Sequence, residues 1–215
     1  MAILARGVAV VSVGIGCQGT HQIGEHGALI GEWAGATPKQ RRTPLDWIVC
    51  PPKGVASMIR DWRFYPEDPA QIIKDETPYW PQANCWYWHD EAHLTSGEFV
   101  SRQEHYLEVL ERCRAMPRQI FVLSNTQRNL DEMARSVSQP MNIVLHDEDV
   151  DAIDAALKSQ FPDPELWVLA LKGRHALQRH QDNPRVLEFD PEPSKWKGDY
   201  GQWGAALTRM LAAAD

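Results

Sequence analysis

The stretch GVAVVSVGIGCQGTHQI, residues 7–23, begins as a continuous apolar run and ends in glycines, a cysteine, a glutamine and a histidine. Residues 7–14 do not alternate polar with apolar, so they predict a strand buried on both faces, the pattern of a parallel sheet. Gly14 and Gly16 allow the backbone to turn tightly just beyond it. Cys17 therefore stands at the mouth of the first predicted strand. Three roles compete for it there: a lipid-attachment site, a buried structural thiol, or a nucleophile.

The lipid role fits worst. Arg6 is the only early cation, and Gly14 occupies the position three before the cysteine, where a lipobox has leucine. No segment reaches the roughly 20 apolar residues of a membrane-spanning helix. The expected location is the cytoplasm. Four cysteines, at 17, 50, 85 and 113, contain no CxxC pair, and free thiols are expected rather than disulfides or a zinc site.

Outward from this strand, the second half of the chain repeats its theme. QIFVLSN (119–125), NIVLHD (142–147), ELWVLALK (165–172) and RVLEFD (185–190) are short apolar runs. Helical patterns are predicted at about 127–138, 149–159 and 203–213. Another runs from Glu98 to Ala115, with Val100, Leu107, Leu110 and Cys113 on one face. Strands alternating with helices predict an α/β fold, a three-layer sandwich around a mostly parallel sheet of Rossmann-like or SGNH-like type. At 215 residues the chain reads as a single α/β domain, 1–215. An irregular, aromatic-rich insertion is expected at about 63–96, where prolines stand at 66, 69, 78 and 81.

The net charge of −7 argues against nucleic acid or an anionic membrane as a partner, because no basic stripe is available to meet phosphates. The one basic cluster, Lys39 to Arg42, reads as a solvated loop. A small molecule, a glycan or a peptide is left as the expected substrate. No Walker sequence or dinucleotide fingerprint is present. HDEDVDAID lacks the central glycine of a calcium loop and reads as the acidic first turn of a helix. No cofactor or metal is therefore expected. Asp199 and Trp203, in DYGQWGAAL, read as cap and anchor of the last helix.

In parallel sheets, sites form beyond the carboxyl ends of the strands. A helix starting near Gln18 is expected to lower the Cys17 pKa, and amides around Gly16 and Gln18 to form an oxyanion hole. A nucleophilic thiol needs a base. His89 is preferred because Trp88 and its neighbours would desolvate it, while Asp90 or Glu91 biases its tautomer. His21, four residues after Cys17, and His146, at a predicted strand end, are alternative bases. His93, His105, His175 and His180 read as surface residues. Asp46, between Leu45 and Trp47, is a carboxylate in apolar surroundings and requires a specific partner, a backbone cap or a histidine.

SVGIGCQGTHQI, TPLDWIVCPPKGVASMIRDW, WHDE and RQIFVLSN, in that order, resemble a family of bacterial and viral proteins classed as papain-like cysteine peptidases. Its members carry Gly-x-x-Cys after the first strand, a Pro-Phe-Asp-Trp element and a later His-Asp pair. The resemblance spans roughly residues 8–125 and implies Cys17 as nucleophile, His89 as base and Asp46 as a site or scaffold carboxylate. Pro-Leu-Asp-Trp replaces Pro-Phe-Asp-Trp here, and the stretch after Cys17 is richer in glycine than a good helix. The family name implies a papain-like α+β fold, whereas the strand-then-cysteine order implies the parallel sheet. Cys17-Gln18 is also similar to the Gly-Asn-Cys-Gln strand end of capsular-polysaccharide acetyltransferases, and the sheet reading is preferred.

Three functions follow as expectations. The first is a thiol hydrolase acting on an amide or ester through an acyl-enzyme on Cys17. The second is an acyltransferase using the same cysteine, with a coenzyme A thioester as donor and a glycan or amine as acceptor. The third is a non-catalytic protein that binds a sugar or a partner through Trp80, Trp86, Tyr87 and Trp88.

Overall fold

In the computed structural model, residues 1–74, 77–90, 95–136, 141–191 and 196–213 are described. In chain order the strands are β1 (Ala2–Ala5), β2 (Val8–Val13), β3 (Lys39–Arg41), β4 (Ile73–Lys74), β5 (Pro78–Trp80), β6 (Cys85–Trp86), β7 (Arg118–Ser124), β8 (Leu145–His146), β9 (Pro164–Leu171), β10 (His175–Ala176) and β11 (Val186–Phe189). The α-helices are α1 (Gln18–Glu25), α2 (Gly27–Trp33), α3 (Pro52–Arg60), α4 (Ser96–Arg114), α5 (Leu130–Ser136), α6 (Asp147–Gln160) and α7 (Tyr200–Ala212). The fold is mixed α/β around a six-stranded, mostly parallel sheet of order β11-β9-β7-β2-β1-β3. Strands β2, β7, β9 and β11 run parallel, β1 pairs antiparallel with β2, and β3 pairs antiparallel with β1.

Every residue of β2 is buried. Ala9, Val11 and Val13 join one core with residues of α3, α4, α5 and α6. Val8 and Val10 join a second core with residues of α1, α2 and α7. A strand covered on both faces has no polar face to show, which is why its sequence is continuously apolar. Trp203, fully buried, anchors α7, and the Asp199 carboxylate caps that helix by accepting from the Gln202 amide at 2.6 Å.

Several local expectations change. Residues 2–5, to which the sequence reading assigns no element, form β1 and pair with β2 through a turn in which Gly7 takes φ +79°. A left-handed turn of this kind suits glycine, which has no Cβ to clash. The Lys39–Arg42 cluster is not a loop. Lys39–Arg41 form the exposed edge strand β3, where charge protects an unpaired edge from further pairing. The run 142–147 contributes only Leu145 and His146, which pair with β10 in a separate two-stranded sheet. The segment expected to be irregular holds a three-stranded antiparallel sheet, β4-β5-β6. Its Tyr79 and Trp86 rings stack at 4.4 Å, and Trp80, Trp86 and Tyr87 are buried in the core. Apolar pressure from so many large rings orders the segment despite its prolines.

The contact that fixes this small sheet against the main body is unusually close. A Cβ placed on Gly54, in α3, would lie 2.2 Å from the Ala83 carbonyl oxygen and 2.7 Å from Cys50 Sγ. Backbone cannot yield as a side chain can, so Gly54→Ala should destabilise the fold by about 1–3 kcal/mol despite the better helix propensity of alanine. Urea denaturation of the two proteins measures this directly, and an unchanged midpoint would refute it.

Candidate active site

β2 ends at Val13, and the chain passes Gly14, Ile15 and Gly16 to reach Cys17 at the N-cap of α1. Cys17 is 3 % exposed and lines a cleft of about 240 Å³ with Trp88, His89, Gln127, Asn129, Met133 and Trp196. Sheet topology explains the gathering. β2 and β7 are parallel neighbours, so Cys17 and the Gln127–Asn129 turn leave the sheet at the same edge. β6 runs into Tyr87 and Trp88 and thereby delivers His89.

Of the expected site residues, Cys17, Trp88 and His89 line this cleft together. Trp47 joins them indirectly, its ring meeting the His89 ring edge-on at 4.5 Å. Trp47 is held at φ +60°, a backbone region that costs a bulky side chain about 1–3 kcal/mol and is retained where the surroundings fix it. Its reward here is a fixed wall for the imidazole.

Of the two expected oxyanion positions, Gln18 already has its amide engaged. The Gln18 backbone N–H donates to Gln127 Oε1 at 3.1 Å, and Gly16 lies so close that an added Cβ would stand 2.8 Å from the same oxygen. Gln127 Nε2 in turn donates to Asn129 Oδ1 at 2.9 Å. The Gln18 side chain donates to the Trp196 carbonyl oxygen at 3.1 Å and accepts from the Thr126 hydroxyl, tying α1 to the segment that carries the Trp196 wall.

Asp46 is committed elsewhere. One carboxylate oxygen accepts from the Thr43 amide at 2.6 Å, the other accepts from the Thr20 hydroxyl at 3.0 Å, and the Met1 amino group forms an ion pair with it. None of these partners is a histidine. Asp90 likewise accepts from Arg102 and Gln103, each at 3.2 Å, rather than from the His89 ring. Neither alternative base lines the thiol's cleft, although His21 touches one of its walls. His21 packs against Trp196 at 4.9 Å between ring centres. His146 is the N-cap of α6. His175 and His180, expected on the surface, are largely covered and meet Glu188 at 2.7 Å and Asp151 at 2.9 Å. His105 is exposed, while Glu91 and His93 lie outside the described residues. Among the described residues, no three His, Cys, Asp or Glu side chains converge as a metal set.

Gln127, Asn129, Met133 and Trp196 were not anticipated. The first two follow the carboxyl end of β7, so the same strand-end rule that singled out Cys17 applies to them. Trp196 arrives from 179 residues downstream of Cys17 and has no local signal.

The electrostatics overturn one expectation. Burial pushes the Cys17 thiol up to about 12, outweighing the opposing pull of the Met1 amino group and Arg42. The α1 terminus does not reverse this, because the Gln18 amide is spent on Gln127. His89 is shifted the other way: burial, assisted by Arg42, lowers its pKa against the attraction of Asp90. Each lowered or raised pKa favours the uncharged form. At neutral pH both groups rest uncharged, a thiol and a neutral imidazole lining one cleft.

The consequence is measurable. A thiol near 12 exposes far less thiolate at pH 8 than an ordinary one near 9. Part of that deficit is recovered through greater nucleophilicity, which leaves alkylation on the order of 50-fold slower. Iodoacetamide labelling of Cys17, followed by mass spectrometry, should therefore rise through pH 10 without levelling; a plateau with a midpoint below about 7 would contradict the burial argument. Asp46→Asn should cost about 1–3 kcal/mol in urea denaturation and leave the Cys17 labelling rate within about twofold, whereas a selective loss of labelling would give Asp46 a role at the thiol.

No family model, curated protein or solved structure matches this chain.

Proposed function

We propose that the chain is a cysteine-dependent hydrolase of an amide or ester, forming an acyl-enzyme on Cys17 with His89 as general base. The observation that carries this reading is the shared cleft: one thiol and one neutral imidazole line the same cavity at the carboxyl edge of the sheet. We read the architecture as a three-layer sandwich of the SGNH-like kind, in which strand ends present the nucleophile.

The mechanism follows from the uncharged resting pair. A neutral imidazole has the lone pair needed to take the thiol proton, and the transfer accompanies attack by sulfur on the substrate carbonyl. Negative charge then develops on the carbonyl oxygen. The Gln18 amide is the donor best placed to receive it, once Gln127 Oε1 has been displaced from that N–H. Protonated His89 passes its proton to the departing alkoxide or amine, and water, deprotonated by the same ring, releases the acid. Trp88, Trp196 and Met133 give the cavity apolar walls, and Gln127 and Asn129 give it neutral polar groups. A cavity of about 240 Å³ with this lining suits a short, uncharged acyl group.

No cofactor is assigned to this chemistry. In the acyl-transfer variant, a glycan hydroxyl or an amine replaces water in the second step, and a coenzyme A thioester supplies the acyl group. Binding through the aromatic cluster has less support, since Trp80, Trp86 and Tyr87 are buried and only Trp88 reaches the cleft.

Hydrolysis of p-nitrophenyl acetate tests the reading. Cys17→Ser and His89→Ala should each lower nitrophenolate release by about 100-fold or more, with urea midpoints close to the parent's. An added amine that speeds release and appears in the product would assign transfer rather than hydrolysis. Equal rates in parent and both variants would remove Cys17 and His89 from catalysis.

A further inference from the structure

Cys50 and Cys85 take no part in the candidate active site, yet the backbone sets them face to face. Val49 and Trp86 form an antiparallel bridge, exchanging both N–H···O bonds at 2.9 Å. One step along each strand from such a hydrogen-bonded pair lies a non-hydrogen-bonded pair, where Cα atoms approach to about 4.5 Å and side chains are closest. Here that pair is Cys50 and Cys85. A spacing of that kind falls within the range a disulfide spans. Both cysteines are completely buried, and the Cys50 thiol reaches the Ala83 and Pro51 carbonyl oxygens at 3.6 Å. Burial first, and the neighbouring Cys85 thiol second, push the Cys50 thiol well up, in keeping with two thiols close together.

We propose that Cys50 and Cys85 form a reversible cross-strand disulfide, a redox staple behind the candidate active site. Its position gives it reach in two directions. The Cys50 amide donates to the Ile15 carbonyl oxygen at 3.4 Å, two residues before Cys17, and Cys50 lies three residues after Trp47. Cys85 lies four residues before His89 on the strand that delivers it. The bond would couple covalently the segment holding Trp47 to the segment holding His89, whose rings already touch.

The oxidant is a low-molecular-weight disulfide. One cysteine, as thiolate, attacks the glutathione disulfide sulfur, forming a mixed disulfide and releasing one glutathione. The second cysteine attacks the protein sulfur of that mixed disulfide and releases the other glutathione. Two thiol hydrogens and two electrons leave the protein, and one glutathione disulfide becomes two glutathiones. Because both thiols are buried, exchange proceeds through local opening, which mild denaturant accelerates.

The test equilibrates the full chain in mixtures of reduced and oxidised glutathione, in urea below the unfolding transition, from both the reduced and the oxidised side. Free thiols are then blocked in denaturant and peptides are mapped by mass spectrometry without reduction. The expected result is a linked pair of peptides containing Cys50 and Cys85, with Cys17 and Cys113 alkylated. Thermal unfolding should rise by on the order of 5–10 °C and return on reduction. Cys85→Ala should abolish the rise and Cys113→Ala should not. Cys50 and Cys85 recovered as free thiols or as separate glutathione adducts, or linked to other cysteines, would overturn the proposal. The outcome does not depend on whether Cys17 is a nucleophile.

Discussion

The structure rests on one constraint: Val8–Val13 is buried along its whole length and on both faces. A strand with no solvent face must be central and must be covered from both sides. Its parallel neighbour β7 meets the first requirement, and helices on each face meet the second. The chain can then leave only at the sheet's edge, through a stretch whose glycines accept close neighbours. A Cβ on Gly14 would stand 2.8 Å from the Leu45 carbonyl oxygen, and one on Gly16 equally near Gln127. The position of Cys17 is thus a consequence of how β2 is buried.

Burial also decides the chemistry. A thiol at a helix N-terminus beside a histidine invites the expectation of a thiolate–imidazolium pair. In this protein desolvation acts on both groups, raising the thiol to about 12 and lowering the imidazole. The free energy separating the ion pair from the neutral pair grows by about 1.4 kcal/mol for each pKa unit between the two. The site therefore resembles a hydroxyl-and-imidazole system in its proton bookkeeping, with charge separated only as the reaction proceeds. The Gln18 amide, held by Gln127 at rest, belongs to the same logic: the groups that would stabilise charge are satisfied internally until a carbonyl displaces them.

Much of this was legible in the residues. The apolar runs at 7–14, 119–125 and 165–172 became β2, β7 and β9, because a strand covered on both faces leaves a clear signature, and the run at 185–190 became the less buried edge strand β11. The strand-end rule brought out Cys17, and desolvating neighbours brought out His89. Other features had no such signature. β1 is four residues long, and β3 is three polar residues whose strand character comes only from pairing with β1. In the aromatic segment the prolines mark irregularity locally, while the small sheet β4-β5-β6 and the stacking of Tyr79 on Trp86 are tertiary facts. Asp46 was correctly expected to need a partner, but no local pattern points to Thr20 or to the Met1 amino group. Trp196 reaches the cleft through distant packing alone.

The uncharged Cys17–His89 pair is the central claim, and the titration of the His89 ring nitrogens, followed by NMR in the parent and in Cys17→Ser, tests it most directly. With a protonated thiol as neighbour, the His89 midpoint should fall below 6.5 in the parent. The serine variant should match it, because no charge is lost. A parent midpoint above about 7 that drops when sulfur is replaced by oxygen would mean that a thiolate holds the imidazolium, and the account of the site given by burial would be wrong.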